Sequence, residues 1–171
     1  MILIYPGSFD PPTLGHADIA RRGAALATRL VIAVTANPNK QSLFTIDERL
    51  LMLRQEFQNC TNIEILVFEG LLADFAQKIG ANAILRGLRS PSDFESESRY
   101  AIWNGFLGNN IDTIFLTANP ELSYISSSIV REVASHTDAD GLSIAHDIFN
   151  RTISEHVQDA LKIKFARAKR A

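Results

Sequence analysis

Ile2-Leu3-Ile4-Tyr5-Pro6-Gly7, running into Ser8-Phe9-Asp10-Pro11-Pro12-Thr13-Leu14-Gly15-His16, is the stretch that decides the architecture. Ile2 to Tyr5 is a short apolar run stopped at Pro6-Gly7, which reads as a buried strand ending in a tight loop. A helix starts near Thr13 to His16, and Ile19, Ala20, Gly23, Ala24 and Leu26 recur at helical spacing up to about Thr28. A strand, a loop and a helix in that order form the first half of a strand–helix–strand unit.

The same alternation continues along the chain. Leu30 to Ala36 reads as a strand buried on both faces, closed by the loop signal Asn37-Pro38-Asn39. Thr45 and Glu48 form a capping box that opens a helix to about Phe57. Ile63 to Phe68 is a third strand, Leu71 to Ile79 a helix closed by Gly80, and Ala83 to Leu85 a fourth strand entering Arg86-Gly87. Pro91 to about Gly108 reads as helix, Thr113 to Thr117 as a fifth strand, Ser126 to about Ser135 as helix, and 148–168 as one long terminal helix. Alternating strands and helices imply right-handed crossovers. The expected fold is therefore α/β, a doubly wound, mainly five-stranded parallel sheet in a single domain over 1–171. Ligands of such sheets bind beyond the carboxyl ends of the strands, where strand order reverses.

Chemistry is therefore to be sought just after each strand. The decapeptide Gly7 to His16 is neither GxxxxGK[ST] nor GxGxxG. It offers a glycine at a strand end, the Ser8 hydroxyl, and the His16 imidazole on the first turn of a helix, where free N–H groups favour an anion. A histidine there is by itself an ordinary surface or capping residue, and Asp10-Pro11-Pro12 reads as turn chemistry. Lys40 follows the second strand and Arg86 and Arg89 the fourth; Ser126-Ser127-Ser128 open a helix after the fifth, with Arg131 one turn on. Any one of these cations is ordinarily just solvated, and one serine serves as N-cap. Together they bring cations, hydroxyls and helix N-termini to one sheet edge, which is what a polyphosphate requires.

Composition narrows the class. A chain of 171 residues, 46% hydrophobic, can bury a core without disulfides, and the single Cys60 leaves neither a disulfide framework nor a zinc cluster. No apolar run approaches the roughly 20 residues of a membrane span, and the first residues lack a basic segment with a cleavage site. A cytoplasmic protein without a membrane partner is expected. A formal net charge of -2 gives no reason to bind nucleic acid, and the basic end (Lys162, Lys164, Arg167, Lys169, Arg170) reads as the solvated face of the terminal helix.

The segment Tyr5 to Pro11 with Thr13-Leu14-Gly15-His16 resembles the T/HxGH signature of the nucleotidyltransferase superfamily, and Ile125 to Arg131 resembles its ISSTxxR signature. Three further segments resemble the bacterial phosphopantetheine adenylyltransferase family in particular: Phe44-Thr45 with Glu48-Arg49, Leu85 to Arg89, and Asp93-Phe94-Glu95 with Glu97. The match covers residues 1 to about 135. It implies a Rossmann-like nucleotidyltransferase fold and adenylyl transfer from ATP to 4'-phosphopantetheine, giving dephospho-coenzyme A and pyrophosphate. By similarity Ser8, Phe9, His16, Gly87, Leu88, Arg89, Glu97 and Leu122-Ser123-Tyr124-Ile125-Ser126-Ser127-Ser128 contact ATP. Ser8, Lys40, Leu72 and Arg86 contact the acceptor, and His16, Lys40 and Arg89 are the candidate catalytic groups, with His16 stabilising the transition state. In-line attack of a phosphate oxygen on the α-phosphorus needs positioning and positive charge rather than a protein nucleophile. Mg2+ is expected on the triphosphate; no carboxylate cluster marks a site for it, so phosphates and water would hold it. The family is commonly hexameric, which implies a homo-oligomer.

Ser8 stands where threonine is common, Leu14 where a polar residue is frequent, Ser96 where an aromatic is frequent, and Leu122 where tryptophan is frequent. The last two bear on contacts to adenine or to a subunit neighbour. Nicotinate-mononucleotide adenylyltransferase shares both signatures, but Arg86-Gly87-Leu88-Arg89 with Asp93-Phe94-Glu95 argues against it, and against a CTP-using enzyme. A class I aminoacyl-tRNA synthetase would add a KMSKS-like segment and an anticodon-binding domain. A non-catalytic nucleotide-binding regulator would not need His16, Lys40, Arg86 and Arg89 together.

Overall fold

Each apolar run becomes a strand, because aliphatic and β-branched side chains fill a pleated surface covered on both sides. The strands are β1 (Ile2–Gly7), β2 (Arg29–Thr35), β3 (Ile63–Phe68), β4 (Ala83–Leu88) and β5 (Asp112–Thr117). Between them lie α1 (Leu14–Leu26), α2 (Ile46–Glu56), α3 (Leu72–Lys78) and α4 (Pro91–Leu107); α5 (Ser127–His136), α6 (Leu142–Thr152) and α7 (Glu155–Ala168) follow β5. The computed structural model describes residues 1–35, 42–108, 110–136 and 142–168, and the side chains of 142–146 and 166–168 fall outside that description. The expected loop at Asn37-Pro38-Asn39 lies outside the described residues.

The sheet is parallel throughout, in the order β3-β2-β1-β4-β5. From β1 the chain steps outward to β3, returns beside β1 with β4, and steps outward the other way, so the order reverses between β1 and β4. β1 and β2 stay in register from Ile2↔Arg29 to Gly7↔Val34, whereas β1 and β4 pair at Leu3↔Ala83 and Ile4↔Ile84, short of their carboxyl ends. That divergence opens the sheet where a ligand is expected.

Strand side chains alternate between two covered faces. Leu3, Leu30, Ile32, Val34 and Leu85 pack with Ala17, Ile19, Ala20 and Leu53 of α1 and α2. Ile4, Ala33 and Ile84 pack on the other face with Leu72, Phe75 and Ala76 of α3. Burying each large aliphatic side chain is worth roughly 1.5–3 kcal/mol. Helix α1 approaches closely because Gly23 has no side chain; a Cβ there would meet Leu85 Cδ2 at 2.3 Å.

Three expectations are corrected. β4 does not stop at Leu85: Arg86, Gly87 and Leu88 pair in register with Phe115, Leu116 and Thr117 of β5, so Arg86 stands on a strand rather than in a loop. Nor are 148–168 one helix, since α6 ends at Thr152 and α7 begins at Glu155. The Ser154 carbonyl starts α7 by accepting from Val157 and Gln158 N–H, at 3.0 and 3.1 Å, and its hydroxyl donates to the Glu56 carboxylate. The bend places Phe149, Ile153, Val157 and Leu161 in one core with Phe44, Met52, Val130 and Ala134. Lys164 is not simply solvated: its Nζ lies 2.8 Å from Glu48 Oε2 and 5.4 Å from the Phe44 ring centroid.

Candidate active site

A cavity of about 260 Å³ occupies the opening between β1 and β4. Its α1 wall is set by Thr13, whose side chain caps the helix in a capping box completed by His16 rather than by the usual glutamate or glutamine. The His16 N–H donates to Thr13 Oγ1 at 3.3 Å, and the Thr13 N–H donates to His16 Nδ1 at 3.0 Å. Since a backbone N–H can only donate, Nδ1 must be unprotonated and the proton of the neutral ring sits on Nε2. Burial, and then the positive charges of Arg89 and Arg86, lower the His16 pKa to about 4. His16 is thus a neutral hydrogen-bond donor at physiological pH, aimed by its own helix cap.

Phe9 lies behind it, with φ at 48° in the left-handed region that a bulky residue rarely adopts. Its ring is fully buried, edge-on to Tyr5 at 5.5 Å and to His16 at 5.1 Å. The backbone turn at Phe9 therefore buries a ring that supports the imidazole.

Arg86 projects from β4 into the seam. Its Nε and Nη2 donate to the two carboxylate oxygens of Glu97, each at 2.5 Å, and its Nη1 donates to the Pro6 carbonyl at 3.0 Å. Arg89 pairs with Asp93, Nε to Oδ2 at 3.1 Å, and donates to the Ile125 carbonyl at 3.2 Å. Of the three serines, Ser126 is the N-cap, accepting from the Ile129 N–H at 3.2 Å; Ser127 donates to the Pro11 carbonyl at 2.8 Å, and Ser128 accepts from Arg131 at 3.3 Å.

On the far side of Ser8, Arg86 and Glu97 lies a second, larger groove of about 520 Å³. Phe68, Leu72, Tyr100 and Ala101 line it, with Asn104 and Thr113 as polar points. Thr113 Oγ1 is buried there without a hydrogen-bond partner among the described residues.

Of the residues expected to contact nucleotide, Ser8, His16, Gly87, Arg89, Glu97, Leu122, Ile125, Ser126, Ser127 and Ser128 line the first cavity. Phe9, Leu88, Ser123 and Tyr124 are not among its lining residues; Tyr124 is exposed, and the Ser123 hydroxyl bonds back to the Pro120 carbonyl. Of those expected to contact the acceptor, Ser8, Leu72 and Arg86 line the groove, and Lys40 lies outside the described residues. Sequence reading missed Thr13 as the residue that orients His16, although its place three residues before His16 at a helix start was visible. It also missed Asp10, whose carboxylate accepts from the Leu43 and Phe44 N–H groups rather than serving a local turn. Asn104 and Thr113 carried no signal, because only tertiary packing brings α4 and β5 to the groove. Among the described residues no group of three or more His, Cys, Asp or Glu side chains could hold a metal, and no helix is long and apolar enough to cross a membrane.

Comparison with known proteins agrees with this fold. Residues 4–133 match the family model described as cytidylyltransferase-like. A phosphopantetheine adenylyltransferase of Lachnoclostridium phytofermentans is 50% identical over 133 residues, covering 78% of this chain and 82% of that one. One from Dehalococcoides mccartyi is 43% identical over 169 residues, covering 98% and 100%. Among solved structures, a Plasmodium falciparum nicotinic acid mononucleotide adenylyltransferase complexed with NaAD matches 96% of this chain and 95% of its own with a TM-score of 0.64; at 18% identity this likeness speaks to the fold.

Proposed function

The chain belongs to the phosphopantetheine adenylyltransferase family, and we propose that ATP binds in the cavity beside His16 while the acceptor lies in the groove beyond Arg86. It is a nucleotidyltransferase that joins the adenylyl group of ATP to 4'-phosphopantetheine, a step of coenzyme A biosynthesis. One observation carries the assignment of the two sites: the cavity and the groove share Ser8, Arg86 and Glu97 at the point where the strand order reverses. An acceptor phosphate in one and an α-phosphate in the other would meet there.

In this reading the acceptor phosphate oxygen attacks the α-phosphorus directly, pyrophosphate leaves in line, and no covalent intermediate forms on the protein. The His16 Nε2–H stabilises charge developing on a non-bridging α-phosphate oxygen. The N–H groups at the Ser126-capped start of α5, together with Arg89 and Arg131, hold the leaving pyrophosphate. The expected cation Lys40 would add charge on the acceptor side. Glu97, the carboxylate lining the cavity, is already engaged by Arg86, so Mg2+ would be carried by phosphate oxygens and water and would neutralise triphosphate charge. Thr113 and Asn104 would meet the amide-bearing arm of the acceptor beside the apolar Phe68, Leu72 and Ala101.

A homo-oligomer, hexameric by family, and a cytoplasmic setting belong to the same proposal. The former is supported by the solvent-exposed apolar face of α4, the latter by the need for ATP and by the free Cys60. The test is pyrophosphate release from ATP and Mg2+ with 4'-phosphopantetheine and nicotinate mononucleotide offered in parallel. Turnover with phosphopantetheine alone is expected; turnover with the mononucleotide alone would reassign the groove.

A further inference from the structure

We infer that Asp10 is a positioning residue of the nucleotide site, one that aims the Arg131 guanidinium into the cavity and locks the turn before α1 to the start of α5. The inference rests on the reading of that cavity as the ATP site.

Turn chemistry does not account for this side chain. An aspartate that shapes its own turn bonds to amides about two residues on, whereas Asp10 accepts from amides 33 and 34 residues away. Its Oδ2 takes the Leu43 N–H and its Oδ1 the Phe44 N–H, both at 2.9 Å. With 4% exposure, so buried a carboxylate needs compensating partners. Among the described residues Arg131 is the cation that pairs with it, lying 3.7 Å from Oδ2, and its Nη1 donates to the Asp10 main-chain carbonyl. Arg49, itself buried, is a second nearby positive charge, and it donates to the Ser8 and Thr35 carbonyls at 2.8 and 3.2 Å.

The consequence falls on the cavity. Arg131 lines it, and its Nη2 also donates to Ser128 at 3.3 Å, so the guanidinium is held between the Asp10 main-chain carbonyl, with the carboxylate 3.7 Å away, and the Ser128 hydroxyl. Ser127 ties the same turn to α5 through the Pro11 carbonyl. The Asp10 and Pro11 carbonyls thereby join the His16 wall to the serine wall, and the Asp10 carboxylate, anchored on the Leu43 and Phe44 amides, holds the turn that carries them, the condition for preorganised charge stabilisation. Asparagine cannot replace it without loss, since its NH2 would face one of the two amide N–H groups.

The experiment is a double-mutant cycle on the full chain with Asp10→Asn, Arg131→Ala and the pair, reading kcat/KM for ATP, KM for phosphopantetheine, ATP affinity without acceptor, and Tm. Each single variant is expected to lower kcat/KM for ATP about 10- to 100-fold with the acceptor KM within threefold, and the pair to be no worse than Arg131→Ala alone, because residues acting through one another are not additive. Additive losses, or an Asp10→Asn enzyme with lowered Tm and unchanged kcat/KM, would make Asp10 merely structural. Should Asp10→Asn not fold, Arg131→Lys decides. It leaves the Asp10 amide bonds intact, keeps the charge but not the fork, and is expected to lose at least tenfold in kcat/KM for ATP at unchanged Tm; full activity would overturn the inference. Wild-type protein that fails to bind ATP would instead remove the reading of the cavity, and the inference with it.

Discussion

Arg86 and Glu97 meet side by side across the seam between β4 and α4, with two nitrogens of one guanidinium on the two oxygens of one carboxylate. The third nitrogen bonds to Pro6 on β1, so one side chain spans the gap where β1 and β4 part. An acceptor phosphate would find a guanidinium already flat and already aimed, and would share it with Glu97. Arg86→Ala is therefore expected to raise the acceptor KM at least tenfold, in keeping with roughly 1.5–3 kcal/mol for a hydrogen bond to a charged group, while ATP KM moves less than threefold. Initial-rate kinetics with each substrate varied in turn checks the split. Equal damage to both KM values would mean that Arg86 holds the seam rather than the acceptor.

His16 couples stability to pH. Its folded pKa of about 4 lies below the ordinary value of 6.5, so between these limits the unfolded chain binds a proton that the folded chain refuses. Stability is full above pH 6.5 and is lost as pH falls toward 4. His16→Ala should remove that loss, so the Tm difference between wild type and variant should change in the variant's favour between pH 7 and pH 5. The variant should also lose about 10²–10³-fold in kcat, as is usual for one transition-state donor, with ATP affinity within a few-fold. A Tm gap that stays constant over that pH range would show that the imidazole is not held neutral.

Gly87 sits at the cavity on β4 because α1 leaves no room for more. A Cβ there would meet Ile19 Cγ1 at 2.9 Å, and Ile19 is buried among the core residues of α1. Gly87→Ala is expected to cost about 1–3 kcal/mol by overpacking. In an Ile19→Ala background, which removes Cγ1 and the other contacting carbons, Gly87→Ala should cost measurably less than it does in the wild type. Thermal denaturation of both single variants and the pair measures this, and a Gly87→Ala cost equal in the two backgrounds would refute the contact as the cause.

Much of the fold could be read from the residues because each element is locally consistent. Apolar runs stop at Pro6-Gly7, the capping box at Thr45 and Glu48 was legible, and Ile63–Phe68 begins and ends as expected. Errors arise where distant partners decide. Arg86 to Leu88 extend β4 because β5 offers a register for them, and Ser154 breaks the terminal helix because Glu56, nearly a hundred residues earlier, takes its hydroxyl. At the site, residue types near strand ends pointed to the cavity, but their engagements did not show. No periodicity predicts that Asp10 reaches the amides of Leu43 and Phe44, or that Glu97 is already paired with Arg86.

Thr113 carries an unmet polar group on the wall of the groove. Its buried hydroxyl has no hydrogen-bond partner among the described residues, a state that costs roughly 1–3 kcal/mol. Thr113→Val keeps the shape and removes the unmet group, so Tm should hold or rise by a few degrees. If the hydroxyl waits for the polar arm of the acceptor, the same variant should raise the acceptor KM several-fold. Unchanged KM with raised Tm would leave the hydroxyl without a part in binding.

Helix α4 presents the last measurable consequence. None of its 17 residues is buried, and Trp103 and Phe106 stand 65% and 78% exposed with their rings 6.5 Å apart. Ile102 and Leu107 are exposed beside them. An apolar face of that extent on a helix that reaches the acceptor groove through Tyr100 and Asn104 calls for a cover, and a second copy of the chain supplies one in the proposed assembly. Trp103→Glu with Phe106→Glu places charges that cannot be buried unpaired. Light scattering should give a multi-chain mass for the wild type and a single-chain mass for the double variant, with the helical circular dichroism unchanged. Because the groove borders this face, the separated chain should also show a raised acceptor KM at constant ATP affinity. A wild-type mass of one chain would withdraw the assembly, and an acceptor KM indifferent to dissociation would show that the groove is complete within a single chain.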